Sequence, residues 1–370
     1  MLKGAQTWVV ATRPQSPSRR ATISDVAREA GVNKGTVSRA LRGISGVGPR
    51  TRKRIVEAAD RLDFSASHLA SALATGNSRT VGIVLPTLRS WYFSDVAAGA
   101  SEILIPAGFR VELINLDIDS DFLEVDSPQF ARLLRELGTG HGRNALLYAG
   151  TESIQDESGD SGSAHVPASA GQLPLTSVPG IYIDHRAGGR LIGEHLLSLG
   201  HRDIAILDGR MPGKRSSSVW DLRTDGLRDA VRERGFDIDN ADVVQAGDCH
   251  AADGECAMQR ILDSGRRLPT AVFCHTDELA YGAMSAMRQA GLRCPDDISV
   301  AGFDGHPLAR YWGLTTVNQH AHEQGLRAAK ALLAALGETA DGLDEDQLKV
   351  ELVVGATTAP PRRSGTGILA

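Results

Sequence analysis

The sequence predicts a small all-helical N-terminal module followed by a two-lobed α/β domain, and three observations carry that reading. Residues 1–79 hold 14 Lys and Arg against 5 Asp and Glu, which leaves 26 against 40 for residues 80–370, local balances of +9 and −14. A compact basic segment on an acidic body is the electrostatic footprint of a nucleic-acid-binding module joined to a part that must stay off nucleic acid. Between Thr22 and Leu62, apolar residues recur at helical spacing between cap and turn signals. After Arg79, short apolar runs alternate with helical stretches for roughly 280 residues, which calls for parallel sheets covered on both faces and exceeds what one sheet usually holds.

Taken in order, residues 1–20 contain Arg13, Pro14, Ser16, Pro17, Ser18, Arg19 and Arg20 without periodicity and read as a disordered arm. Thr22-Ile23-Ser24-Asp25 offers a hydroxyl N-cap with an acid three residues on, opening a helix that buries Val26, Ala27 and Ala30. Gly31 supplies the left-handed position that ends it. Val32 turns inward, Asn33 caps a second helix, and Val37 and Leu41 face the same core while Lys34, Thr36, Ser38 and Arg39 point elsewhere. A third helix opens at Gly48-Pro49 and buries Ile55, Ala59 and Leu62. Residues 65–79 are alanine-rich, hold too few large apolar side chains for a core of their own, and read as a linker or a helix formed conditionally.

Beyond Arg79 the spacing predicts strands over 81–85, 109–114, 145–148, 204–207, 271–274 and 298–301. Helices are expected near 93–105, 129–137, 189–199, 224–234, 254–262, 279–289 and 324–336. The acidic, Ser- and Gly-rich residues 151–177 read as a mobile surface loop, and no internal sequence repeat is evident. In two lobes of this kind a ligand sits in the cleft at the carboxyl ends of the strands.

Composition excludes other classes. Hydrophobic residues at 42% and charged residues at 23% fit a globular chain rather than a fibre. No run approaches the roughly 20 apolar residues of a membrane helix, and Trp8-Val9-Val10-Ala11 is too short for a signal sequence, so the cytoplasm is the expected compartment. Cys249, Cys256, Cys274 and Cys294 form no C-x-x-C pair and are expected as reduced, buried thiols.

The run Thr22-Ile23-Ser24-Asp25-Val26-Ala27-Arg28-Glu29-Ala30-Gly31-Val32-Asn33-Lys34-Gly35-Thr36-Val37-Ser38-Arg39-Ala40-Leu41, followed by Val47-Gly48-Pro49-Arg50-Thr51-Arg52-Lys53-Arg54-Ile55, resembles the helix-turn-helix headpiece of the lactose-repressor (LacI/GalR) family of bacterial transcription regulators. Gly200-His201-Arg202-Asp203-Ile204-Ala205, Pro269-Thr270-Ala271-Val272-Phe273, Asp277-Glu278-Leu279-Ala280-Tyr281-Gly282, Asp296-Asp297-Ile298-Ser299-Val300-Ala301-Gly302-Phe303-Asp304 and Leu314-Thr315-Thr316-Val317 resemble later landmarks of that family, in order. The resemblance covers roughly residues 21–361. It implies a headpiece over 21–64, a hinge over 65–79, a two-lobed periplasmic-binding-protein-like domain for effector binding and dimerisation over 80–361, and a tail over 362–370.

That resemblance also implies roles. Lys34, Gly35 and Arg39 stand where the family reads bases, and Arg and Lys are the usual partners of guanine O6 and N7. Gly35 has no side chain to read with, a departure from the usual polar residue. Thr22, Thr36, Ser38 and Thr51 are candidates for phosphate contacts that fix register, with helix capping and surface solvation as the competing reading. Leu73 stands where family members wedge a leucine into the minor groove, although Phe64, Ala66, Ser67 and Ser71 replace the usual hinge residues. In the effector lobe, Arg223 and Asp304 resemble a donor fork and its acidic partner, suited to a polyhydroxylated ligand. Tyr92 and Phe93, beside Trp91, stand where the family places aromatic walls, and Cys249 stands where several relatives carry a stacking aromatic. For each of these the competing role is core packing or a structural ion pair.

The resulting expectation is a repressor that binds a pseudo-palindromic DNA operator as a homodimer, or as a tetramer, under control of a small-molecule effector, a sugar or sugar derivative, with no cofactor and no membrane. A periplasmic sugar receptor is a competing class, opposed by the basic headpiece. An enzyme on an α/β scaffold is a second. Gly159-Asp160-Ser161-Gly162-Ser163 imitates a serine-protease nucleophile motif without a placed histidine, His320-x-His322 is at most half of a zinc site, and neither a phosphate loop nor a dinucleotide fingerprint is present.

Overall fold

The computed structural model describes residues 22–41, 46–62, 79–116, 145–148, 168–170, 181–210, 219–236, 243–247, 249–339 and 347–362. The arm at 1–20, Leu73 and the hinge to residue 78, the helix expected near 129–137, the protease-like motif and most of 151–177 lie outside the described residues. The chain divides into two compact units, Met1–Ser78 and Arg79–Ala370.

The first unit holds α1 (Ile23–Glu29), α2 (Lys34–Leu41) and α3 (Pro49–Arg61). Thr22 accepts a hydrogen bond from the Asp25 backbone N–H, and the Asp25 carboxylate accepts from the Thr22 N–H, so two of the otherwise orphaned donors are satisfied. Gly31, at φ 63°, makes the left-handed turn after α1, and Asn33 caps α2 by accepting from Thr36 N at 2.7 Å. Val26, Val37, Ile55 and Ala58 are fully buried at the junction of the three helices, with Val32 and Leu62 packed against them.

The second unit contains two four-stranded sheets. In lobe one, β1 (Thr80–Leu85) lies between β2 (Arg110–Asn115) and β3 (Ala145–Tyr148), parallel to both, and β4 (Ala168–Ala170) adds an antiparallel edge on β3. That edge is antiparallel on otherwise parallel strands, and it corrects one expectation: residues 151–177 are not loop throughout. Ala168, Ser169 and Ala170 carry no apolar alternation, and β4 exists because the β3 edge offers backbone partners. In lobe two, β6 (Ile204–Asp208) and β8 (Ala271–Cys274) are central between β7 (Val243–Gln245) and β9 (Ser299–Ala301), all parallel. Ile204 and Ile206 point into one core, whereas Ala205 and Leu207 point into another on the opposite face. Two short ribbons were not foreseen: β5 (Tyr182–Ile183) pairs with β11 (Gln347–Leu348), and β10 (Thr316–Asn318) with β12 (Glu351–Val353).

The helices of this unit are α4 (Trp91–Leu104), α5 (His185–Leu199), α6 (Val219–Glu233), α7 (Ala251–Leu262), α8 (Asp277–Gln289), α9 (Ala309–Trp312) and α10 (Ala321–Ala335). They pack as three intimate pairs, α4 with α10, α5 with α6, and α7 with α8, and each pair is sealed by two reciprocal glycines. A methyl group on Gly99 would collide with the His322 carbonyl and one on Gly325 with the Val96 carbonyl. Gly189 and Gly226 likewise face the Arg223 and Arg186 carbonyls, and Gly254 and Gly282 those of Leu279 and Ala251. The structure therefore carries a threefold repeated device where no repeat is visible in the sequence. The thiol expectation also needs correction: none of the four cysteines forms a disulfide, but only Cys274 is buried and Cys256 is exposed.

Candidate functional site

In the first unit, α2 turns Val37 and Ala40 to the core, which leaves Lys34, Gly35 and Arg39 exposed on its outer face. Arg39 folds its Nε back to the Gly35 carbonyl at 3.4 Å. Thr36 is half-buried, with its hydroxyl on the Asn33 side chain at 2.9 Å, and Ser38 is half-buried on the same helix. Thr22 is committed to the α1 cap, and Thr51 lies half-buried in the first turn of α3 near exposed Arg50 and Arg54. A helix presenting two cations from its first two turns, next to a second basic helix start, can reach base edges and phosphates of a duplex.

In the second unit the two lobes meet across a continuous polar chain. Tyr92, in the first turn of α4, donates its hydroxyl to Gln324 Oε1 at 2.9 Å. Gln324, on the facing helix α10, donates to the Gln319 carbonyl at 2.7 Å, and Gln319 Nε2 donates to Asp304 Oδ1 at 2.7 Å. Asp304 Oδ1 lies 3.6 Å from Arg223 Nη1 in α6, and the arginine is only 2% exposed. The guanidinium sits 3.8 Å over the Phe303 ring and 4.9 Å from the Trp220 ring. Its Nε donates to His185 Nδ1 at 3.3 Å and its Nη1 to the His275 carbonyl. Asp304 holds φ at 132°, outside the usual range for a side-chain-bearing residue, between Gly302 and Gly305. Strain of this kind persists only where surroundings impose it.

Burial sets the charge states. It pushes the Asp304 carboxyl well above the usual carboxylate range, against the pull of Arg223, and it raises the Tyr92 hydroxyl. Buried Asp277 receives Thr316 Oγ1 at 2.6 Å and the His306 N–H at 2.7 Å, yet desolvation lifts it to about 7. Burial holds His185 and His275 below the usual imidazole value, hence neutral, whereas hydrogen bonds from His275 and Arg210 outweigh burial and hold Asp208 at about 2. One buried guanidinium thus faces acids that burial pushes toward their protonated forms, so the cleft offers donors as well as acceptors. A cavity of about 520 Å³, lined by Asp208, Arg210, Asp221 and Thr224 among others, opens on the lobe-two flank of this network.

The structure brings together Tyr92, Arg223, Cys249 and Asp304. Cys249 lies with its Sγ 3.5 Å from the Gly209 carbonyl and adds to the electrostatic surroundings of Arg223. Phe93 departs from the expected aromatic wall: it is 7% exposed in the lobe-one core and meets Tyr92 edge-on at 5.2 Å. Trp91 is the aromatic that reaches the other lobe, with its ring 4.7 Å from the His306 ring and its backbone N–H donating to Glu278 Oε1 at 3.5 Å. His185, His275, Gln319 and Gln324 were missed, having no motif of their own. His320 and His322, the candidate half of a zinc site, are half-buried beside carboxylates: His320 lies 4.0 Å from Glu351, and His322 lies 3.8 Å from Asp95 and 3.3 Å from Glu102. No metal-binding group exists among the described residues.

A basic three-helix reader and a two-lobed receptor with a buried Arg–Asp pair define a DNA-binding regulator that carries a ligand-binding domain. Residues 22–67 match the bacterial regulatory proteins of the lacI family, and residues 194–358 match a periplasmic binding protein-like domain. The chain is 30% identical over 345 residues to the HTH-type transcriptional repressor PurR of Pasteurella multocida, covering 90% of this chain and 97% of that protein. It is 27% identical over 325 residues to catabolite control protein A of Priestia megaterium, covering 86% and 94%. Among solved structures, the Lac repressor dimer bound to operator and the anti-inducer ONPF is similar with a TM-score of 0.72 at 26% identity over 92% of this chain and all of that one. A CelR–cellobiose complex is similar with a TM-score of 0.58 at 26% identity, covering 91% of this chain. The chain belongs to the lacI family of bacterial regulatory proteins: it is a DNA-binding transcriptional repressor and not an enzyme.

Proposed function

We propose that the protein is an operator-specific repressor, working as a dimer on a pseudo-palindromic DNA site, whose affinity is set by a small-molecule effector, a sugar or sugar derivative, held in the interlobe cleft. The observation that carries the effector half is the Arg223–Asp304 pair at 3.6 Å, joined through Gln319 and Gln324 to Tyr92 on the other lobe. Such a chain of donors and acceptors between aromatic faces suits vicinal hydroxyls on an apolar ring face. The CelR structure named with cellobiose points the same way.

Lys34 and Arg39 are the base readers in this reading; Thr22, Gly35, Thr36, Ser38 and Thr51 line the phosphates or the groove floor, and Leu73 in the 65–79 hinge is the minor-groove wedge. The headpiece covers 21–64 and the effector domain 80–361. Dimerisation falls to the apolar surface around α9, where Leu308, Tyr311 and Trp312 are 47%, 70% and 59% exposed. No helix among the described residues is long and apolar enough to cross a membrane, and a DNA regulator acts in the cytoplasm.

The deciding experiment is selection of bound duplexes from a random pool by the purified chain at about 0.15 M salt, where non-specific phosphate binding is damped. The expected result is a palindrome of roughly two helical turns. Recovery of no common sequence, with and without metabolite extracts, would overturn the reading.

A further inference from the structure

Arg79 is the first residue of the second unit, and everything upstream of it leads to the headpiece. Its backbone φ is +46°, a left-handed conformation that a residue with a side chain rarely holds. Its side chain closes on two helix ends at once. Nη1 and Nη2 donate to Glu338, at 3.0 Å and 3.3 Å. Nη2 also donates to the Ala107 carbonyl at 2.8 Å and Nε to the Gly108 carbonyl at 3.4 Å, with the guanidinium 4.4 Å over the Phe109 ring. A single exposed ion pair would count for little. Here one planar fork is shared by the turns that follow α4 and α10.

Those turns are built alike. Gly108, at φ 83°, ends the α4 segment with Phe109 N–H bonded to the Leu104 carbonyl, and Gly337, at φ 73°, ends α10 with Glu338 N–H bonded to the Leu333 carbonyl. Both are glycine-terminated ends that fix the following residue in space. At their other ends the same two helices carry Tyr92 and Gln324, which are joined by the hydrogen bond in the cleft. Between the ends, Gly99 and Gly325 press the backbones together. The two helices run side by side from the cleft to Arg79, about 22 Å for the 15 residues of α10, and no side chain separates them at their crossing.

We infer that Arg79 is the positioning residue through which the effector cleft controls the headpiece: α4 and α10 move as one strut, and their shared grip on Arg79 sets where the chain departs toward the DNA-binding helices. This rests on the proposed effector-responsive reading. A strained residue persists only where its surroundings impose it, so a change in either helix end bears on the backbone of Arg79 directly.

The test uses the full chain and two variants, Gln324→Ala at the cleft end and Arg79→Ala at the junction, with Arg79→Lys as a form that keeps the charge and loses the fork. Hydrogen exchange read by mass spectrometry needs neither effector nor DNA. Arg79→Ala is expected to speed exchange at the amides around Trp91 and Gln324 at least about threefold, and Gln324→Ala to do the same around Arg110, whose N–H is bonded to the Arg79 carbonyl at 2.7 Å, because coupling is reciprocal. Changes confined to residues beside each substitution would overturn the strut. With the selected duplex as probe, Gln324→Ala should shift DNA affinity at least about fivefold in the parent and less than about twofold in the Arg79 variants, within the range such couplings span. An equal shift in both backgrounds, or none in the parent, would overturn the role of Arg79. If no duplex is ever enriched, the repressor reading fails, while the exchange measurement still decides the strut.

Discussion

Arg223 and Asp304 face each other at 3.6 Å with 2% and 9% of their side chains exposed, and the Asp304 backbone stands at φ 132°. A buried pair of this kind contributes little to stability while intact, because desolvation cancels most of the attraction. Removing Arg223 leaves a protonated acid and the His275 carbonyl without their partner. Arg223→Met is therefore expected to destabilise the second unit by about 1–3 kcal/mol, and adding Asp304→Asn, itself neutral, to change that loss little. Urea denaturation of the three proteins checks it; equal stability of parent and single variant would show that the pair is not desolvated in solution.

Arg39→Ala should weaken binding to the selected duplex by about 1–3 kcal/mol and relax preference at one base position, without changing the thermal stability of the second unit. Fluorescence polarisation against the duplex and against single-base variants measures both. An unchanged affinity would move base reading away from α2.

Asp277 supplies a pH dependence with a definite sign. Its folded value of about 7 lies above the ordinary 3.8, so the native state holds the proton more tightly than the unfolded chain does. The stability this provides is complete below about pH 4 and is lost as pH rises through about 7. Asp277→Asn, which cannot ionise, should lose less stability than the parent between pH 5 and pH 8. Parallel curves for the two proteins would remove the proton from Asp277.

Two glycine substitutions should act in opposite directions. Gly226→Ala drives a methyl into the Arg186 carbonyl and should cost at least about 1–3 kcal/mol, whereas Gly35, whose added methyl would meet only Asn33 Oδ1 at 3.4 Å, should accept alanine with a gain of about 1 kcal/mol in helix propensity. Thermal melts resolve both; a tolerated Gly226→Ala would mean that α5 and α6 are less tightly seated than described.

Trp312→Glu places a charge on the exposed apolar surface at α9 and should convert a dimer to a monomer in sedimentation, with at least about a tenfold loss of operator affinity because two headpieces no longer bind together. A dimeric variant would assign the interface to another face.

The headpiece was legible almost residue by residue, because its determinants are local: a hydroxyl and an acid three apart, a glycine at the turn, a proline at the first helical position. The cleft was legible where the resemblance pointed to it, at Tyr92, Arg223, Cys249 and Asp304. Of the members it did not mark, His185 opens α5 and Gln324 lies at the start of α10, while His275 and Gln319 lie outside the helices. An apolar stripe marks only the part of a helix that faces the core, so it places the starts of α5, α6 and α8 two to five residues late, at 189, 224 and 279 rather than at His185, Val219 and Asp277. The turns cut off in this way are the ones that line the cleft. Tertiary pairing hid β4, β5, β11 and β12, which are too short to alternate and exist through their partners.

The six glycines that seal the three helix pairs divide the molecule into places where mutation is forbidden and places where it is cheap. At Gly99, Gly189, Gly226, Gly254, Gly282 and Gly325 any side chain strikes a neighbouring carbonyl, so drift there is closed to the chain. The pairs they hold carry the cleft residues on their first turns, where exchanging one side chain for another leaves the backbone contacts untouched. A change of ligand is then a matter of a few substitutions on a fixed chassis, which makes Trp91, Tyr92, Cys249 and Gln324, rather than any loop graft, the positions to randomise in building a sensor for a new molecule.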